Sequence, residues 1–152
     1  MIIDKNATSF LNQAITVSGT TPTIYSRYDL DELGNMYVPW NGERVEELAM
    51  GERVSTHEWG DKIKKFNFFK KAASRDGYYE ATIIAVRKNK NSPTLIIDGV
   101  GRAVGIKKAI IENPGRIKEI NLIVFLIESE GIVKMLDYKK LLELLKKQET
   151  SK

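Results

Sequence analysis

The clearest pattern lies in the middle of the chain. From residue 61 to residue 74 the apolar side chains Ile63, Phe66, Phe69 and Ala73 recur at helical spacing, which predicts an amphipathic helix with those four toward the core. Lys64, Phe68, Lys71 and Arg75 fall on its other side at spacings of four, three and four, and Asp76-Gly77 ends it. Tyr79–Arg87 then reads as a strand, rich in β-branched residues, and Lys88–Pro93 as a polar loop. Thr94–Ile97 predicts a second strand antiparallel to the first, and residues 102–112 a helix stopped by Asn113-Pro114-Gly115. Ile120–Ile127, uninterruptedly apolar from Leu122, has the pattern of a strand buried on both faces.

The flanks are less regular. Residues 1–40 read as β-structure and turns: short strands at Ala14–Val17, Thr23–Tyr28 and Met36–Val38, with a turn at Leu33-Gly34-Asn35 and a stop at Pro39. Glu43–Met50 predicts a short helix whose early acids suit its dipole, closed by Gly51. Beyond the buried strand, Ile132–Met135 is expected to pair back. A final helix over residues 137–148 carries the apolar stripe Tyr138, Leu141, Leu142 and Leu145, a stripe that could also support a homodimer. The expected fold is α+β, a small mixed or antiparallel sheet flanked by helices. It forms one domain with an acidic, β-rich part at 1–60 and a core at 61–128.

Length supports one domain: 152 residues can bury roughly 70% of their unfolded surface, whereas two halves would each be near the limit of independent folding. Cysteine is absent, which excludes disulfide scaffolds, zinc–thiolate sites, iron–sulfur clusters and cysteine nucleophiles. One histidine, His57, excludes multi-histidine metal centres, so any metal would be held by oxygen, favouring Mg2+, Mn2+ or Ca2+. No apolar run approaches the ~20 residues of a membrane helix, and Asp4, Lys5 and Asn6 interrupt any secretory signal. A cytoplasmic location and no membrane partner are therefore expected. Abundant Ile, Lys and Glu beside only Gln13 and Gln148 lean toward a thermophilic source.

Charge is unevenly spread. The net +4 divides into −6 over residues 1–61 and +10 over residues 62–152. The basic portion would attract and steer a polyanion such as DNA. Lys64, Phe68, Lys71 and Arg75 combine cations with an aromatic ring, the residue types that hold a phosphate backbone and stack a base; the same residues also fit a solvated helix face.

Thr94 to Ala103 carries the most chemistry. A strand ends in Asp98-Gly99, and a helix begins at once with Val100, Gly101 and Arg102. Glycines permit a sharp turn and close backbone approach, the first helical amides lack internal partners, and arginine presents a fork that matches phosphate oxygens. The alternative is a plain strand–turn–helix corner. Neither a Walker loop nor a full dinucleotide fingerprint is present.

The order helix, glycine, strand, polar loop, strand ending Ile97-Asp98-Gly99, then Gly99-Val100-Gly101-Arg102 and a helix resembles the ParB/sulfiredoxin-like superfamily over residues 60–128. The resemblance implies a nucleotide-phosphate site, with Gly99 and Gly101 giving backbone access and Arg102 touching phosphate. It also implies ATP or CTP as ligand and action on or near DNA, with NTPase or endonuclease activity within the family's range. A plasmid or virus would suit so compact a member. Val100 stands where sulfiredoxin needs cysteine, and Gly101 where a histidine or arginine often precedes the motif arginine; the first excludes sulfiredoxin chemistry. A separate helix-turn-helix reader after Glu128, and hence a full partition protein, is not expected. A phosphotransferase similar to the free-serine kinase and a non-enzymatic interaction module are the alternatives.

Glu80 and Asp98, on the two antiparallel strands, are candidate catalytic carboxylates and Mg2+ ligands, if they meet at one end of the sheet. Structural roles as a strand-edge charge and a turn former are equally compatible with them. The metal-nuclease pattern of an acid two residues before a lysine fails at Glu80-Ala81-Thr82; Asp137-Tyr138-Lys139 has the spacing but lies at a helix start. His57, beside Glu58 and Asp61, is a candidate base or a loop residue.

Overall fold

In the computed structural model of the chain, residues 21–38, 43–51, 60–75 and 77–130 are described, with side chains from residue 64 onward in the helix that begins at Gly60. Their elements run β1 (Thr23–Tyr25), α1 (Leu30–Gly34), α2 (Val45–Ala49), α3 (Gly60–Ser74), β2 (Tyr79–Arg87), β3 (Leu95–Asp98), α4 (Val100–Glu112), a 3-10 turn (Pro114–Glu119) and β4 (Ile120–Glu128). The strands form a four-stranded sheet ordered β1-β4-β2-β3. The fold is α+β with a mixed sheet. β2 and β4 are parallel over nine residues, from Tyr79↔Ile120 to Arg87↔Glu128, while β1 and β3 flank them antiparallel. The expected strands at Ala14–Val17 and Ile132–Met135, the final helix with Asp137 and Lys139, and His57 lie outside the described residues.

Alternation sorts the two central strands between two faces. Ala81, Ile83 and Ala85 of β2 and Leu122, Val124 and Leu126 of β4 join the main core, with Leu33, Leu48, Phe66, Ala103 and Ile106 from the helices. Ile84, Ile123 and Phe125 form a smaller cluster on the opposite face, against Ile97. Both faces of β2 and β4 are thus buried over their second halves, which is why residues 83–86 and 122–127 are apolar without a break.

Three expectations for the first forty residues are corrected. The strand expected over Thr23–Tyr28 ends at Tyr25, ahead of a turn at Arg27 with φ +50°. Leu33-Gly34 is not a free turn but the end of α1, a helix started by Asp29, whose carboxylate accepts the Asp31 amide at 2.8 Å. Met36–Val38 forms no full strand. Tyr37 makes isolated bridges to Leu95 and Arg44, so the segment ties α2 to the β3 edge.

α3 and α4 pack closely. A methyl group at Gly105 would lie 2.5 Å from Phe69 Cβ and 2.7 Å from the Lys70 amide nitrogen, and one at Gly101 would lie 3.2 Å from the Phe69 ring and from Lys65 Cγ. Glycine at these two positions, one helical turn apart, lets the helix axes approach. Arg116, almost wholly buried, donates from Nε to the Ala73 carbonyl at 3.0 Å and pairs with Glu119. It thereby satisfies a carbonyl at the end of α3. Among the described residues no helix is long and apolar enough to cross a membrane.

Candidate functional site

The corner between β3 and α4 is built as a tight turn. Gly99 has φ +95°, a left-handed conformation open to glycine, and precedes the first helical residue. No side chain caps the helix there, and its first hydrogen bond runs from the Ala103 amide to the Gly99 carbonyl at 2.9 Å. The Arg102 guanidinium folds back over the turn: a methyl group at Gly99 would meet Nη2 at 3.0 Å and Nε at 3.2 Å. The cation therefore lies on the corner where the sequence places it.

The corner nonetheless has an internal partner. Arg102 Nη2 donates to Asp98 Oδ2 at 2.6 Å, an i,i+4 ion pair whose side chains are 25% and 29% exposed. A second anion at this guanidinium would face the Asp98 carboxylate. Arg102 Nε is buried and makes no hydrogen bond. Gly101, expected to admit a ligand, is buried against Lys65 and Phe69 of α3, so its lack of a side chain serves helix packing. Val100 is buried in the main core. Burial also pushes the neighbouring Tyr79 phenol above its ordinary value, with the Arg102 charge opposing.

Glu80 and Asp98 are not brought together. Asp98 pairs with Ile84, at a point where the ladder shifts register. That is four residues from Glu80, or roughly 13 Å along the strand. Glu80 shares the parity of Ile84, on the face away from the main core, and accepts from the Tyr78 hydroxyl at 3.0 Å and from Asn121 Nδ2 at 3.3 Å. Asp98 is turned to Arg102. Among the described residues, no three acids or histidines are grouped to hold a metal ion. The expectation of a shared Mg2+ site at one end of the strands assumed that antiparallel pairing alone would align the two carboxylates. The register separates them.

The α3 residues behave as their spacing predicts. Phe66 and Ala73 are buried, and Phe69 is half-buried toward α4. Lys64, Phe68, Lys71 and Arg75 are all exposed, Phe68 at 64%, and its ring meets Phe69 edge-on at 5.2 Å. None of the three cations has an ion pair among the described residues, whereas Lys70, one position round the helix from Lys71, is held by Glu112 at 3.0 Å.

A feature not singled out by the sequence lies just ahead of β3, where Pro93 and Thr94 line a cavity. Tyr28, Glu32 and Arg87 stand between two adjoining cavities at the ends of β2 and β4. Burial, and next the Glu32 carboxylate, push the Tyr28 phenol up to about 12. The only sequence signal is the run Tyr25-Ser26-Arg27-Tyr28, which reads equally as a strand. Compared with known protein families, with curated proteins and with solved structures, the chain has no match.

Proposed function

We propose that this chain binds a nucleic-acid backbone through the outward face of α3. The observation that carries the reading is the row Lys64, Phe68, Lys71 and Arg75: three cations without acidic partners among the described residues, ranged about a phenylalanine that leaves 64% of its surface in water. Cations without internal partners are free to replace the counterions of a phosphate backbone, and an exposed ring offers a stacking surface to an unpaired base. The net +10 of residues 62–152 extends the attraction beyond this face.

The test is a titration of labelled single-stranded and duplex DNA at several salt concentrations. Affinity should fall steeply with salt. Lys64→Ala with Lys71→Ala should flatten the log–log slope by about 1.4 to 1.8, at roughly 0.7 to 0.9 per phosphate contact. Phe68→Ala should weaken single-strand binding by about 1 to 3 kcal/mol while changing duplex binding little. Salt-independent affinity, or an unchanged slope in the double variant, would remove this face from consideration.

A second reading, that the Gly99–Arg102 corner receives the phosphate of ATP or CTP in the ParB-like manner, is favoured by the unbonded Arg102 Nε and the uncapped first turn of α4. Asp98 is its obstacle, and so its probe. Asp98→Asn removes the competing charge and should tighten nucleotide binding, while Arg102→Ala should abolish it. Nucleotide affinity indifferent to both changes discards the corner. The separation of Glu80 from Asp98 lends no support to Mg2+-dependent cleavage, so the reading stops at binding.

A further inference from the structure

The parallel pair β2 and β4 ends at Arg87 and Glu128. Beyond the carboxyl ends of parallel strands an open sheet leaves a crevice, because the chain must turn away from the ladder there. In this molecule the crevice lies between the β1–α1 connection and the β2–β3 loop. It has two halves, of about 340 and 420 Å³, each large enough for part of a small ligand. Tyr28, Glu32 and Arg87 line both and form the wall they share.

The halves differ in chemistry. The smaller is neutral and hydrogen-bonding, with Asn35, Tyr37, Asn91, Ser92 and Thr94 on its sides. The larger carries Arg27 and Lys90, beside Tyr25 and Asp29. The acids near these cations are engaged. Asp29 accepts the Asp31 amide at 2.8 Å, Glu32 interacts with the Tyr28 hydroxyl, and Glu128 holds Arg87 at 2.8 Å. Among the described residues Arg27 and Lys90 have no ion-pair partner, so both cations of the larger half are open to an added anion, with the charged Asp29 and Glu32 carboxylates beside them.

Arg27 supplies an independent observation. Its backbone sits at φ +50°, the only non-glycine positive φ among the described residues, and its amide donates to Asn121 Oδ1 at 2.7 Å. Glycine would hold this turn with less strain. The turn itself therefore gives no reason for an arginine, whereas a cation projected into the crevice does.

We propose that this crevice binds a phosphate monoester, with the phosphate at Arg27 and Lys90 and the ester's hydroxyl- or amide-bearing body in the half lined by Asn91 and Thr94. The site is separate from both the α3 face and the Gly99–Arg102 corner. Two compound classes share this chemistry, nucleoside monophosphates and sugar phosphates.

The test follows backbone amide NMR shifts of the full chain titrated with AMP, glucose 6-phosphate and inorganic phosphate. The esters should give saturable shifts at Arg27, Lys90 and Thr94, and a tighter response to one of them names the class. Arg27→Gly and Lys90→Ala should each weaken ester binding by about tenfold. Arg27→Gly should leave the Tm unchanged or raised, because glycine relieves the left-handed backbone, so its loss of affinity is not a loss of fold. Lys64→Ala with Lys71→Ala should leave ester binding as it is, which separates this site from the proposed nucleic-acid face. The proposal is overturned by an absence of saturable shifts with both esters at millimolar concentration. It is equally overturned by unchanged ester affinity in Arg27→Gly and Lys90→Ala, or by inorganic phosphate binding as tightly as the esters.

Discussion

Gly105→Ala should lower stability by roughly 2 to 4 kcal/mol, read as a fall in Tm of roughly 5 to 15 °C. On an exposed helix the same change would stabilise by up to about 1 kcal/mol, because alanine is the better helix former. Here the added methyl would stand 2.7 Å from the Lys70 nitrogen and 2.8 Å from the Phe69 carbonyl carbon. Those are backbone atoms of α3, so no side-chain rotation relieves the contact, and the helix must move as a body away from α4. Gly101→Ala is the control. Its methyl would meet only the Phe69 ring and the Lys65 stem, both at 3.2 Å, and these can shift by a few tenths of an ångström. It should stay within about 1 kcal/mol of wild type. Equal melting temperatures for Gly105→Ala and wild type would contradict the close α3–α4 approach.

Gly99→Ala should cost roughly 2 to 3 kcal/mol, by two separable routes. The φ of +95° is strained for any L side chain, and the new methyl would lie 2.7 Å from Ile83 Cγ2 and 3.0 Å from Arg102 Nη2. A double-mutant cycle with Ile83→Ala separates them. Removing Cγ2 relieves the clash but not the backbone, so the double variant should be less destabilised than the sum of the singles. Strict additivity would mean that Ile83 is not in contact with the turn. Any loss of ligand binding in a Gly99 variant must therefore be compared at equal folded fraction before it is assigned to the ligand.

Local elements were legible wherever one short-range signal dominated. The Tyr79–Arg87 strand agrees at both ends, and the strand expected at Ile120–Ile127 extends only to Glu128. The α3 face was readable because a 3.6-residue period separates Phe66 and Ala73 from Lys64, Phe68 and Lys71. Leu30–Gly34 was missed because five residues ending in glycine carry too little periodicity; the Asp29 cap was the one available clue. At the corner, the glycine turn and the position of the arginine were readable, but not the arginine's partner. Asp98 and Arg102 are four apart, a spacing at which an ion pair forms across one helical turn, yet Asp98 also ends a strand, and its direction depends on the register shift opposite Ile84 and Ala85. The crevice at Tyr28 was invisible because its walls come from three separate segments.

By itself the amino-acid order decided what the longer stretches α3, β2, α4 and β4 become and which side of α3 meets water, since hydrophobic period, β-branching and glycine act over a few residues. The parallel alignment of β2 with β4, the seating of α4 against α3 and the separation of Glu80 from Asp98 were settled only in three dimensions. Each depends on contacts between residues tens of positions apart, and such pairings are selected by how whole faces fit and bury one another, a property no local window contains.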